Sequence, residues 1–210
     1  MAIVLSIAFG INWIMFIFKP LLMPLLVLIL LYSKNQLSKL VKYISIGALL
    51  FAWLGDIALL FGSDLFFIAG LTAFLLAHVC YIFVFYKLRY RSAIQVSMVP
   101  VVARTMLIVF SGGALYTLLY PSLGQLSLPV GIYVVVILGM VAMAIWRRGR
   151  TGENSYFLIY AGALLFIISD AIIAITRFSS EFEFAGVVVM STYILAQFLI
   201  VKGIIAHQAE

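Results

Sequence analysis

Two aspartates, Asp56 and Asp170, stand inside the most apolar stretches of this 210-residue chain. An ionised carboxylate in hydrocarbon costs about 3 kcal/mol or more, so such residues usually line a site or a polar pathway. Their local settings are alike: Ala48-Leu49-Leu50-Phe51-Ala52-Trp53-Leu54-Gly55-Asp56 and Gly162-Ala163-Leu164-Leu165-Phe166-Ile167-Ile168-Ser169-Asp170. Each is followed, about one hairpin later, by a similar short run, Leu76-Ala77-His78 after the first and Leu195-Ala196-Gln197 after the second. Two carboxylates buried near one another titrate as a pair, one holding a proton while the other is ionised. That pairing is what a general acid and a general base require. The spacing fixes neither their separation nor which is which.

Other polar residues fall where they could serve the same site. His78 and Tyr81 lie a turn apart on one helix face, and Tyr193 and Gln197 are spaced i,i+4. These side chains either orient water and carboxylates or form ordinary interhelical hydrogen bonds. Asn12 and Lys19 bring polar groups from the start of the chain, and Lys19 either snorkels to water or binds phosphate. Arg104, near the middle of its apolar run, needs an anion or a water-filled space, so it pairs with an aspartate or holds a phosphate. Arg177, seven residues after Asp170, reads as an interface anchor. All but Arg177 are expected to converge on one cavity. Cys80 is alone, which excludes a thiolate metal cluster or a disulfide framework, and His78 and His207 are too few for a histidine-rich zinc site. No metal or other cofactor is expected.

The elements that position these residues follow from composition. With 66% hydrophobic and 10% charged residues, the chain reads as an integral membrane protein in one domain, 1–210. Its continuous apolar runs favour an all-α polytopic helix bundle over a barrel, whose strands alternate. Eight transmembrane helices fit, at about 1–18, 20–33, 43–62, 65–86, 94–119, 128–146, 155–177 and 183–205, the first two divided at Lys19-Pro20. The net charge of +6 does not point to nucleic acid, because the basic residues cluster in short loops. Nine of the thirteen, Lys34, Lys39, Lys42, Lys87, Arg89, Arg91, Arg147, Arg148 and Arg150, occupy alternate connections. Under the positive-inside rule those loops and both termini face the cytoplasm. Both aspartate helices then run outward, with each carboxylate about 5 Å beyond its helix centre.

Read together, the motifs resemble the lysoplasmalogenase, or YhhN-like, family of membrane proteins. The likeness rests on Lys19-Pro20-Leu21-Leu22-Met23-Pro24, Leu54-Gly55-Asp56, Leu75-Leu76-Ala77-His78-Val79-Cys80-Tyr81, Ser169-Asp170 with Arg177-Phe178, and Tyr193-Ile194-Leu195-Ala196-Gln197. These occur in order from about Lys19 to Lys202; Ser169 stands where a glycine is common. The resemblance implies a multi-pass hydrolase that cleaves the vinyl ether of a lysoplasmalogen to a fatty aldehyde and a glycerophospho-ethanolamine or -choline. It implies catalytic roles for Asp56 and Asp170, a lysophospholipid substrate and a membrane setting, with a bacterial cytoplasmic membrane suited to so small a basic chain.

Acid-catalysed opening of a vinyl ether passes through an oxocarbenium ion, which paired carboxylates serve as they do in glycoside hydrolysis. A transporter or lipid-binding protein using the same polar cavity is the main alternative, since duplicated helices with midplane charges also occur in transporters. An intramembrane aspartyl protease fits less well, because residues 53–56 read Trp-Leu-Gly-Asp. A purely structural protein would tolerate neutralisation of both aspartates.

Overall fold

In hydrocarbon every backbone polar group must be satisfied internally, and helices do this residue by residue. The computed structural model describes residues 12–33, 37–89, 96–180 and 182–207, with side chains from Pro20 onward. These residues form seven long α-helices: α1 (Asn12–Tyr32), α2 (Lys39–Ala58), α3 (Asp64–Lys87), α4 (Val99–Leu123), α5 (Ser127–Ile145), α6 (Glu153–Phe178) and α7 (Ala185–Ile205). Five stretches are long and apolar enough to cross a membrane: α2, α3, α6, α7 and the 47-residue Val99–Ile145. The last folds back through a 3-10 turn at Gly124–Leu126, where Gly124 takes φ +51, a conformation glycine adopts at little cost. Large apolar side chains face outward all round, with Phe110, Leu118 and Val135 each at least 70% exposed. A lipid-facing surface has that composition.

One expected boundary is absent. The chain does not break at Lys19-Pro20; α1 passes through Pro20 and Pro24 as a single helix. Proline at 24 has no N–H, so the carbonyl of Pro20, four residues earlier, loses its helical donor. The Trp53 indole fills that place, its Nε1 donating to the Pro20 oxygen at 2.7 Å. A neighbouring helix has repaired what the proline removed. The expected span at 1–18 otherwise lies largely outside the described residues. The remaining helices start and stop within about five residues of the expected limits.

Local chemistry sets several ends. Ser38 and Ser63 cap α2 and α3, accepting from the backbone N–H of Val41 and Phe66. α2 and α3 form one hairpin and α6 and α7 another. Glycines allow both to close tightly: a Cβ on Gly162 would lie 2.8 Å from the Ala196 carbonyl, and one on Gly55 would meet the Phe74 ring at 2.7 Å. α1 packs on α2 and α7, while α5 bridges α3 and α6. No α-carbon of the first hairpin comes within 8 Å of the second, so large side chains fill the centre.

The two ends of the bundle differ in charge. Lys39, Lys87, Arg147 and Lys202 mark a basic end, and Asp64 and Arg177 pair at the opposite one. At the basic end Arg147 is fully buried. It donates to the carbonyls of Leu88 and Ser155, to Thr151 Oγ1 and to Ser155 Oγ. Ser155 passes the network on to the Gly203 carbonyl at 2.7 Å, and Thr151 lies 3.0 Å from His207 Nδ1. One guanidinium thus ties together the ends of α3, α5, α6 and α7.

Candidate functional site

Asp56 lies in the last turn of α2, only 2% exposed. Asp170 stands two turns inside the end of the longer α6 and is half-buried. The repeated sequence setting therefore does not translate into equivalent positions along the two helices. α2 stops at Ala58, and the apolar Leu59, Leu60 and Phe61 form the turn toward α3.

Each carboxylate accepts a hydrogen bond from a tyrosine on another helix. Tyr193 on α7 donates to Asp56 Oδ2 at 2.8 Å, and Tyr133 on α5 donates to Asp170 Oδ2. A fully buried His78 sits between the tyrosines. Its ring centre is 5.3 Å from that of Tyr133 and 4.7 Å from that of Phe166, which in turn meets Tyr193 edge-on at 5.4 Å. Behind them Tyr81 donates to Gln197 Oε1 at 2.5 Å. Among the described residues, neither imidazole nitrogen of His78 nor the Gln197 Nε2 has a hydrogen-bond partner. Buried polar groups are normally satisfied, so these three nitrogens are the ones in the cluster with capacity left for a polar partner.

Asp170 and Tyr133 also face outward from this cluster, into a cavity of about 100 Å³ between α3, α4, α5 and α6. Its walls are otherwise apolar, among them Leu71, Phe74, Leu119, Ile137, Ala174 and Phe178. Asp56 does not line it. The arrangement is an apolar slot with one acid on its wall and a buried polar cluster packed behind Tyr133 and Phe166.

Of the residues singled out in the sequence, Asp56, Asp170, His78, Tyr81, Tyr193 and Gln197 come together. Arg104 does not. α4 begins at Val99, so Arg104 lies in its second turn near the basic end and not at mid-bundle. There its Nη1 is 3.5 Å from the Tyr156 hydroxyl, with the guanidinium 6.0 Å from the Tyr160 ring centre. It meets neither aspartate. The side chains of Asn12 and Lys19 lie outside the described residues, although the adjacent Pro20 carbonyl reaches Trp53, one turn before Asp56. Tyr133 was missed by sequence reasoning, yet it left a signal. It lies six residues from the start of α5 and Asp170 eight from the end of antiparallel α6, so the two share a depth.

The YhhN family profile matches residues 14–204, which include every residue of this cluster. The chain belongs to the YhhN family. Among curated relatives it is similar to human lysoplasmalogenase TMEM86A, 34% identical over 157 residues covering 72% of this chain and 61% of the relative. Human lysoplasmalogenase TMEM86B is 30% identical over 155 residues, covering 73% of this chain and 60% of the relative. A lysoplasmalogenase of Mycobacterium tuberculosis is 35% identical over 139 residues, covering 65% and 50%. The chain thus spans between half and three fifths of the length of these relatives. No solved structure matches it.

Proposed function

We propose that this YhhN chain is a membrane hydrolase that opens the vinyl ether of lysoplasmalogens, releasing a fatty aldehyde and a glycerophospho-alcohol. The observation that carries the reading is Asp170, a carboxyl group on the wall of an otherwise apolar slot. An alkenyl chain lying in that slot presents its double bond to the one acid among its described lining residues. The names of the relatives support the same substrate class.

On this reading Asp170 donates its proton to the β-carbon of the vinyl ether, leaving an oxocarbenium ion at the carbon bonded to oxygen. Water adds to that carbon and gives up a proton to the carboxylate pair. The hemiacetal then collapses, its C–O bond breaking to leave the aldehyde while the glycerol oxygen takes a proton. Asp56 supplies negative charge behind the cation and serves as base through water, the division of labour found between paired carboxylates in glycoside hydrolysis. His78 and Gln197, with unused nitrogens, position that water. Tyr133 and Tyr193 each hold one carboxylate in place.

The test is aldehyde release from lysoplasmenyl-ethanolamine by purified protein, with Asp170→Asn and Asp56→Asn beside it. Release by the parent and none by either variant supports the reading. A well-folded parent that releases no aldehyde from any vinyl ether lysolipid overturns it.

A further inference from the structure

The outer end of the slot carries a charge pair that the chemistry above does not use. Arg177, in the last turn of α6, donates through Nη2 to Asp64 Oδ1 at the start of α3. The guanidinium lies 5.2 Å from the ring centre of Phe67, and Phe67 meets Phe178 edge-on at 5.9 Å. Both phenylalanines line the slot. Unlike the buried cluster, this pair is open, its side chains 39% and 80% exposed for Arg177 and Asp64.

Spacing connects the pair to the reacting carboxyl group. Arg177 follows Asp170 by seven residues, so the two share a helix face about 10 Å apart along the axis. In a lysoplasmalogen a glycerol unit separates the vinyl ether oxygen from the phosphate. With the double bond at Asp170, the phosphate falls within reach of the Arg177 side chain, and the headgroup amine beyond it falls near Asp64.

We propose that Arg177 and Asp64 form a headgroup subsite for zwitterionic lysophospholipids, Arg177 taking the phosphate and Asp64 the ammonium. The assignment rests on the vinyl ether reading for the lipid's placement. An exposed ion pair contributes little to stability, so it exchanges partners without loosening the fold. A guanidinium has five N–H donors in a planar fork suited to phosphate, of which Asp64 engages only part. Asp64 also repels a headgroup that has phosphate and no amine. Selectivity for ethanolamine and choline over bare phosphate therefore comes from repulsion as well as attraction.

The deciding experiment measures binding of two unreactive probes to the whole protein in detergent: 1-O-alkyl-lysophosphoethanolamine and 1-O-alkyl-glycerol phosphate. Arg177→Gln weakens both by about tenfold, and Arg177→Lys recovers part of the loss. Asp64→Asn weakens the ethanolamine probe and tightens the bare phosphate. Thermal unfolding of each variant separates lost binding from lost fold, and the opposite shifts in Asp64→Asn decide the matter if Arg177→Gln does not fold. Unchanged affinity in Arg177→Gln, or equal shifts for both probes in Asp64→Asn, overturns the subsite. Neither probe turns over. Absence of aldehyde release beside the expected binding pattern therefore sinks the hydrolase reading alone.

Discussion

Two buried polar clusters in the bundle differ in how completely their hydrogen bonds are made. At the basic end Arg147 spends its donors on Leu88, Thr151 and Ser155, and the network closes on Gly203 and His207. Around the aspartates, and among the described residues, the His78 side chain has no hydrogen bond and Gln197 uses only its amide oxygen. Burying a polar group without a partner costs about 1–3 kcal/mol, which nothing in the fold's own stability explains. A satisfied network reads as a staple, and an unsatisfied one beside two carboxylates reads as a site. Charge alone would have misled, since the fully buried Arg147 belongs to the staple.

That contrast breaks most visibly at the aspartates. Asp170→Asn and Asp56→Asn should each lower aldehyde release by about a thousandfold, the scale of a lost general acid or base, with thermal unfolding nearly unchanged. Equal loss of activity and of stability would make the aspartates structural and erase the distinction. His78→Phe sharpens it further. The new ring fits the aromatic nest and removes two unpartnered nitrogens, so turnover should drop about a hundredfold while stability holds or rises.

Arg147→Met is the mirror experiment. Several charged hydrogen bonds vanish, and unfolding free energy should fall by about 3 kcal/mol while turnover per folded molecule stays at the parent level. A variant that is stable but inactive would place Arg147 in the site after all. The smallest effect concerns pH. Burial, and then the positive charge of Arg147, push the His207 imidazole down to about 4 from its ordinary 6.5. The unfolded chain therefore binds a proton over that interval that the folded chain refuses. This contribution to stability is complete above pH 6.5 and declines as pH falls toward 4. His207→Asn should flatten the decline in melting curves recorded from pH 7 to 5.

Much of this was legible in the sequence, for identifiable reasons. Helix limits follow from apolar runs, which are local, although the Ser38 cap starts α2 at Lys39, four residues before the expected limit at 43. Asp56, Asp170, His78 and Gln197 stood out because polar groups in hydrocarbon are rare. The unbroken α1 was not legible, because the donor that repairs Pro24 is Trp53, on another helix. Arg104 was misplaced because the start of α4 is set by Val99-Pro100 and not by where the apolar run begins. Tyr133 was hidden for a different reason. Tyrosine is common in such helices, and only the antiparallel pairing of α5 with α6 shows which one meets an acid.

The slot itself has a consequence for which lipids are told apart. At about 100 Å³ it is smaller than a 150 Å³ protein cavity that accommodates benzene, so it encloses only the first few carbons of a tail. The rest of the tail must run out among the bilayer's own chains, where every length is solvated alike. On the proposed reading, a branch or second double bond next to the vinyl ether would be felt strongly and extra methylenes at the far end hardly at all. Such a catalyst sorts lipids by the bond it breaks and the headgroup it grips, and leaves tail length to the membrane.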